Sequence, residues 1–357
     1  MGAKKFGIVL FLAGIVFIFQ QCSKKDVAAT ATTTTTTTTP NTTTSTPVLP
    51  ATAFGYVVSL PAYMLPAAAA TDNTPSDNPI TNDGATLGRV LFYDTRLSKN
   101  GTKSCASCHN KDQSFSDNSR LSTGFAGGLT ARHSMALLNV RYYHSGKMFW
   151  DERAAILEKQ VLQPIQNTTE MGLTLAELEA NVRAQSFYPP LFQKAFGTTA
   201  IDSVLIAKAL SQFVRSIVTY QAKYDRVKQG LATFTADEAA GEQLFLNAAP
   251  TCAGCHKPPF FLTSEPAAPF ALLDPTDHGI NNENRFKAGS LRNAGTRTTL
   301  FHNGTVNGVQ AMLTGGGNPP IPAHTVAPQD VQKLLAFINT LTDATIATDE
   351  KFSSPFH

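Results

Sequence analysis

Charge, tryptophan and strand-like alternation are all scarce in this 357-residue chain. Asp, Glu, Lys and Arg make up 15% of it, the formal balance is +3, and Trp150 is the sole tryptophan. So small a net charge leaves no electrostatic footprint for nucleic acid. No convincing run alternates apolar and polar residues with period two, so the coarse expectation is mostly helix with long loops. The apolar run from Phe6 to Phe19 is too short to span a bilayer comfortably. Behind Lys4 and Lys5 it reads as the core of a signal peptide over residues 1–21. Residues 27 to about 50 lack apolar bulk: Ala-rich, then nearly unbroken Thr from Thr30 to Thr39, then Thr, Ser and Pro. They cannot bury a core, and a disordered tether is expected, drawn over residues 22–75. The remaining ~300 residues are long enough for two domains.

Cysteine is rare too, with five in all. Four fall into one pattern used twice, Cys105-Ala-Ser-Cys108-His109 and Cys252-Ala-Gly-Cys255-His256. Cys-x-x-Cys-His is the attachment signature of c-type haem. The two thiols form thioethers with the haem vinyl groups and the histidine ligates the iron. Positions i, i+3 and i+4 share a helix face, so one turn can present all three groups to one macrocycle. Zinc sites usually take four Cys or His ligands without a fixed His after the second Cys. A thioredoxin-like dithiol usually occurs once, in a βαβ setting. The double occurrence points to two covalently bound haem c groups. Cys22 remains. It follows the apolar run directly, which resembles a bacterial lipoprotein cleavage site, although Phe19-Gln20-Gln21 departs from the usual small residues. An ordinary secretory signal or an uncleaved anchor is the alternative. Each implies export, and the expected location is the periplasmic side of the envelope, with a lipid on Cys22 as the membrane anchor.

Each haem motif has a similar helical lead: Leu87-Gly-Arg-Val-Leu-Phe-Tyr before the first and Ala240-Gly-Glu-Gln-Leu-Phe245 before the second. The shared Gly-x-x-Leu-Phe is the start of an internal repeat. Thr174-Leu-Ala-Glu177 and Thr235-Ala-Asp-Glu238 are capping-box patterns that open helices. Apolar spacing predicts a helix within Ile201–Tyr224 and a last one from about Gln329 to Leu341. The fold class expected is mainly α, with two cytochrome-c-like haem domains and long loops. The domain boundaries expected are 76–230 and 231–357.

From about residue 85 to 343 the chain resembles the bacterial di-haem cytochrome c peroxidases. The residues that carry this are Leu97-Ser-x-x-Gly101-x-x-Ser104 before the first motif, Phe149-Trp-Asp-Glu-Arg153, Leu157-Glu-Lys-Gln160, and Asn167-Thr-Thr-Glu170-Met171. Phe286-Lys-x-x-Ser290-Leu-Arg-Asn293, Phe301-His-Asn-Gly304 and Leu334 to Asp343 continue it. The same superfamily includes di-haem enzymes that oxidise tryptophans of a partner protein. The resemblance implies that the His109 haem reacts with hydrogen peroxide, with Gln160 orienting the peroxide and Glu170 moving its proton. It implies that Trp150 lies between the haems and assists electron transfer. It implies that the His256 haem receives electrons from a small cytochrome c or cupredoxin, with Met312 as its sixth ligand. His133 is the candidate sixth ligand of the first haem, which is otherwise open. His302 has a supporting polar role. A calcium ion is implied between the domains, on the Asn139 side chain and the carbonyls of Arg297 and Thr299. A homodimer is common in the family. Each residue also has a plain alternative: Trp150 and Met312 as core packing, Gln160 on a helix surface, Glu170 as a loop carboxylate. The competing functions are an electron relay without bond chemistry and oxidation of a partner's side chain.

Overall fold

A computed structural model describes residue 2 and residues 46–247, 252–262, 277–316 and 324–356. The signal peptide, Cys22 and the threonine run lie outside the described residues. Helices carry the fold, and the described residues contain only isolated bridges in place of strands. In chain order the helices are α1 (Leu65–Thr71), α2 (Asn82–Tyr93), α3 (Leu157–Gln160), α4 (Leu162–Gln166) and α5 (Leu175–Arg183). Then come α6 (Tyr188–Phe196), α7 (Ser203–Ser216), α8 (Lys223–Lys228) and α9 (Ala236–Asn247). The last are α10 (Cys252–Cys255), α11 (Gly308–Leu313), α12 (Pro328–Asn339) and α13 (Thr345–Thr348).

Local signals start these helices. Thr81 Oγ1 accepts from Gly84 N at 3.0 Å to cap α2, and Asp202 accepts from Leu205 N at 2.8 Å to cap α7. Both expected capping boxes form: Thr174 with Glu177 on α5, and Thr235 with Glu238 ahead of α9. Such caps satisfy backbone N–H groups that the first turn leaves without partners.

The fold is two copies of one plan. In the first, α2 crosses α7; in the second, α9 crosses α12. A glycine sits at each crossing. A Cβ on Gly88 would lie 2.0 Å from Ala209 O, and one on Gly241 would lie 2.0 Å from Lys333 O. Phe213 and Phe337 stand next to those contacts in turn. Phe92, Phe115 and Phe213 anchor one apolar core, while Phe245, Phe261 and Phe337 anchor the other.

Each copy is locked by a left-handed asparagine. Asn139 (φ 59°) donates its N–H to Ile217 O at 3.0 Å and accepts from Thr219 N at 3.0 Å. Asn293 (φ 56°) donates to Leu341 O at 3.3 Å and accepts from Asp343 N at 2.8 Å. This lock explains why the helix expected within Ile201–Tyr224 stops at Ser216: Ile217 and Thr219 are diverted to Asn139.

Two stretches depart from the expected segments. Residues 51–75, assigned to the tether by composition, belong to the folded body. Tyr56 is fully buried and its hydroxyl donates to Lys351 O at 2.9 Å. Met64 and Ala68 join Tyr142, Tyr143, Val218, Phe260 and Leu262 in a third apolar cluster. Conversely, Ile346, Phe352 and Phe356 follow the second haem motif yet pack into the first core.

Candidate active site

Both haem motifs coil as the spacing requires. His109 N donates to Cys105 O at 2.9 Å, and His256 N donates to Cys252 O at 2.9 Å, so each motif closes one turn. None of the four cysteines is in a disulfide. His109 Nδ1 lies 2.9 Å from Phe115 O, and His256 Nδ1 lies 3.3 Å from Phe261 O. A carbonyl only accepts, so each Nδ1 carries the proton and each Nε2 keeps the lone pair that a metal needs. The accepting carbonyls belong to matched residues. Phe115 and Phe261 are both fully buried, with φ of 57° and 52°, inside loops closed by the bridges Asn110–Ser116 and Lys257–Leu262. Unpaired thiols together with a ligand-ready nitrogen in each copy fit two covalent haems. His256 is held neutral: burial pulls it down to about 4, and His324 nearby pulls the same way.

The repeat continues into the far wall of each site. The bridges Met148–Ala154 and Leu300–Val306 enclose matched turns, each entered by a left-handed phenylalanine, Phe149 (φ 71°) and Phe301 (φ 72°). Trp150 and His302 therefore hold equivalent positions. Gln160 stands as far beyond Met148 as Met312 stands beyond Leu300. Gln160 closes α3 and Met312 lies within α11, 7% exposed in the second core. One plan thus offers a carboxamide in the first copy and a thioether in the second.

The equivalent turns meet at the junction of the copies. The rings of Trp150 and His302 are 6.4 Å apart, edge to face. His133 N donates to His302 O at 2.7 Å, and Lys287 N donates to Trp150 O at 2.8 Å. Trp150 Nε1 donates to His133 O at 2.8 Å. His302 stacks on Phe286 at 3.7 Å. Arg132 ties the same junction, reaching Asp151 at 2.6 Å and Asp277 at 2.6 Å. An open polar cleft of about 530 Å³ lies beside it, lined in part by Lys147, Asp151, Glu152, Arg153 and Arg285.

Glu170 is half-buried, and burial raises its carboxyl above the usual range while Arg153 pulls it back. Burial pushes the Cys105 thiol up to about 12 and raises that of Cys108 as well, and the Glu170 charge adds to both. His133 is 3% exposed with both ring nitrogens engaged: Nε2 with Ser116 Oγ at 3.1 Å, and Nδ1 with the carbonyls of Ser119 and Arg120.

The side chains of the three residues expected around calcium are engaged within the protein. Asn139 Oδ1 accepts from Thr219 N, and its Nδ2 donates to Thr219 Oγ1 at 2.8 Å. The Arg297 guanidinium donates to Ser290 O at 3.0 Å, and Thr299 Oγ1 donates to Asn118 O at 3.0 Å. No group of three His, Cys, Asp or Glu among the described residues could hold a metal ion.

The family description "Di-haem cytochrome c peroxidase" matches residues 82–233. MauG, the methylamine utilization protein of Methylorubrum extorquens, is 31% identical over 288 residues, covering 75% of this chain and 80% of that protein. The cytochrome c551 peroxidase of Nitrosomonas europaea is 31% identical over 279 residues, covering 74% and 81%. The chain belongs to the di-haem cytochrome c peroxidase and MauG family. A solved MauG-like protein associated with microbial copper homeostasis superposes with TM-score 0.74 at 28% identity, covering 84% of this chain and 99% of that one. As a member of this family the chain is an oxidoreductase with two c-type haems, and the mainly helical two-domain fold agrees.

Sequence reasoning missed the equivalence of Gln160 and Met312, since the two residues share no chemistry. The signal available was the common phenylalanine and spacing in Met148-Phe149-Trp150 and Leu300-Phe301-His302. It also missed the reach of Arg132 to Asp277 and the partners of Lys287, which join residues more than a hundred positions apart.

Proposed function

We propose that the chain reduces hydrogen peroxide in its His109 half with electrons that enter through its His256 half. The donor is a small redox protein of the cytochrome c or cupredoxin kind. The observation that carries this reading is the inequality of two equivalent positions, Gln160 and Met312. A thioether is an established axial ligand that raises haem potential, whereas a carboxamide is a hydrogen-bonding group. The second half therefore has a side chain suited to closing its sixth position, and the first has one suited to holding a small polar substrate. The haem supplies an iron that binds peroxide and takes up electrons. Gln160 orients the peroxide by hydrogen bonding. Glu170, whose raised pKa suits proton exchange, carries a proton from one peroxide oxygen to the other. Trp150, at the junction, assists electron passage between the halves. His133 serves as sixth ligand of the first haem only if it gives up Ser116.

We place the boundary between the two functional halves at residues 230/231 and the protein on the periplasmic side, tethered by lipid on Cys22 and paired as a homodimer. Haem attachment by Cys-x-x-Cys-His is in keeping with export. Among the described residues no helix is long and apolar enough to cross a membrane.

A redox titration of the holoprotein followed by EPR, then steady-state peroxide turnover with reduced cytochrome c, tests the reading. Two different ligand sets, loss of the methionine-to-iron charge-transfer band in Met312→Ala, and turnover are expected. Two closed haems without peroxide consumption would leave an electron relay. The likeness to MauG, within a superfamily that includes enzymes oxidising tryptophans of a partner protein, supports a second reading, oxidation of a partner protein's side chain. Peroxide-dependent change in a partner without cytochrome c turnover would select it.

A further inference from the structure

The junction beside Trp150 holds a cluster that haem attachment does not use. Glu152 has φ 58°, a left-handed backbone that suits glycine, and the equivalent position in the second half is Gly304 with φ 63°. The chain therefore keeps a strained carboxylate where its own repeat keeps a glycine, and strained non-glycine positions gather at functional sites. The carboxylate faces Tyr143, whose phenol O–H donates to Glu152 Oε1. Ser145 Oγ donates to the same oxygen at 3.2 Å. Tyr143 is fully buried. Lys287, 3% exposed, sets its Nζ 3.6 Å from the centre of the Tyr143 ring and donates to Lys147 O at 3.0 Å. The Lys287 backbone N–H holds Trp150 O. Glu152 and Trp150 are two residues apart, within about 7 Å along the backbone.

We propose that Tyr143 is a redox-active tyrosine, with Glu152 as its proton acceptor, that stores an oxidising equivalent next to Trp150. A buried phenol gives up an electron readily only if its proton leaves at the same time, and without water the proton needs a fixed acceptor. Glu152 is bonded to that proton. The positive N–H face of Lys287 over the ring opposes a ring cation, so electron and proton depart together. The Tyr143 O–H bond breaks. The electron passes by way of Trp150 to the oxidised haem pair, and the proton passes to Glu152, leaving a neutral phenoxyl radical and a neutral carboxylic acid. The oxidant is hydrogen peroxide, which leaves as water. An electron from the donor protein and the proton held on Glu152 later restore the phenol. For its oxidant this rests on the peroxide reading above.

The holoprotein is oxidised in two arms, one with hydrogen peroxide and one with a photogenerated one-electron ruthenium oxidant, then frozen for EPR. Both arms are expected to show a tyrosyl signal that narrows in protein grown on ring-deuterated tyrosine. The signal is lost in Tyr143→Phe, which keeps the ring, and weakened in Glu152→Gln, whose amide cannot take the proton. Circular dichroism and haem absorbance confirm that both variants fold. A signal in the ruthenium arm alone upholds the redox tyrosine and removes the peroxide reading. No tyrosyl signal in either arm, or one that survives Tyr143→Phe, overturns the proposal. A signal indifferent to Glu152→Gln overturns the role of the carboxylate.

Discussion

Glu170 and Lys287 show how burial alone sets chemistry at single residues. Glu170 is partly desolvated, so its carboxyl holds a proton to higher pH than an ordinary glutamate. Its proton-accepting form is lost as pH falls through that raised value. Peroxide reactivity should therefore fail on the acid side earlier than an exposed glutamate would dictate. Glu170→Gln should lower kcat/KM for peroxide by about 10²–10⁴ and abolish that acid limb, as stopped-flow kinetics across pH would show. Lys287 is the opposite case, pulled down to about 7 from its ordinary 10.5 by burial, with Glu152 opposing. Between those two values the unfolded chain binds more protons than the folded one, so stability rises with pH through the window. Lys287→Met should remove that rise. Urea midpoints at about pH 7 and about pH 10 would check it, and an unchanged slope would refute it.

Among elements, the crossings of α2 with α7 and of α9 with α12 depend on one glycine each. Gly241→Ala would drive a methyl group into Lys333 O. It should destabilise the fold by about 1–3 kcal/mol or more, measurable by denaturant unfolding, with Gly88→Ala behaving alike. The helical leads and both capping boxes were legible in the sequence because their partners lie within one turn. The arrest of α7 at Ser216 was not, because its cause is Asn139, some eighty positions earlier. The same distance problem hid the burial of Tyr56, whose partner Lys351 is 295 residues away. In the candidate site, the residues inside contiguous motifs were readable: the cysteines, His109, His256, and Trp150 within its block. The matching of Gln160 with Met312 emerges only once the bridged turns superimpose the two copies. Asn139 shows how a motif residue can carry a structural role the motif does not reveal, since its amide serves the repeat's own lock.

For the whole molecule, the two cores are not independent. Residues 345–356 return from the second half to the first. The Tyr93 hydroxyl donates to Phe352 O at 2.5 Å, Arg89 donates to Glu350 O at 3.0 Å, and Lys111 donates to Ser353 Oγ at 2.8 Å. Removing residues 345–357 should lower the melting temperature and expose the first core, leaving the α9–α12 packing in place. Hydrogen exchange resolved by region would show protection lost around α2 and α7 before α9 and α12. This return also imposes an order on biosynthesis. A chain made from its amino end holds Cys105 and Cys108 well before Glu350 to Phe356 arrive to finish the core beside them. The first core thus stays unfinished until the carboxyl-terminal strap is made, whereas the second can close without it.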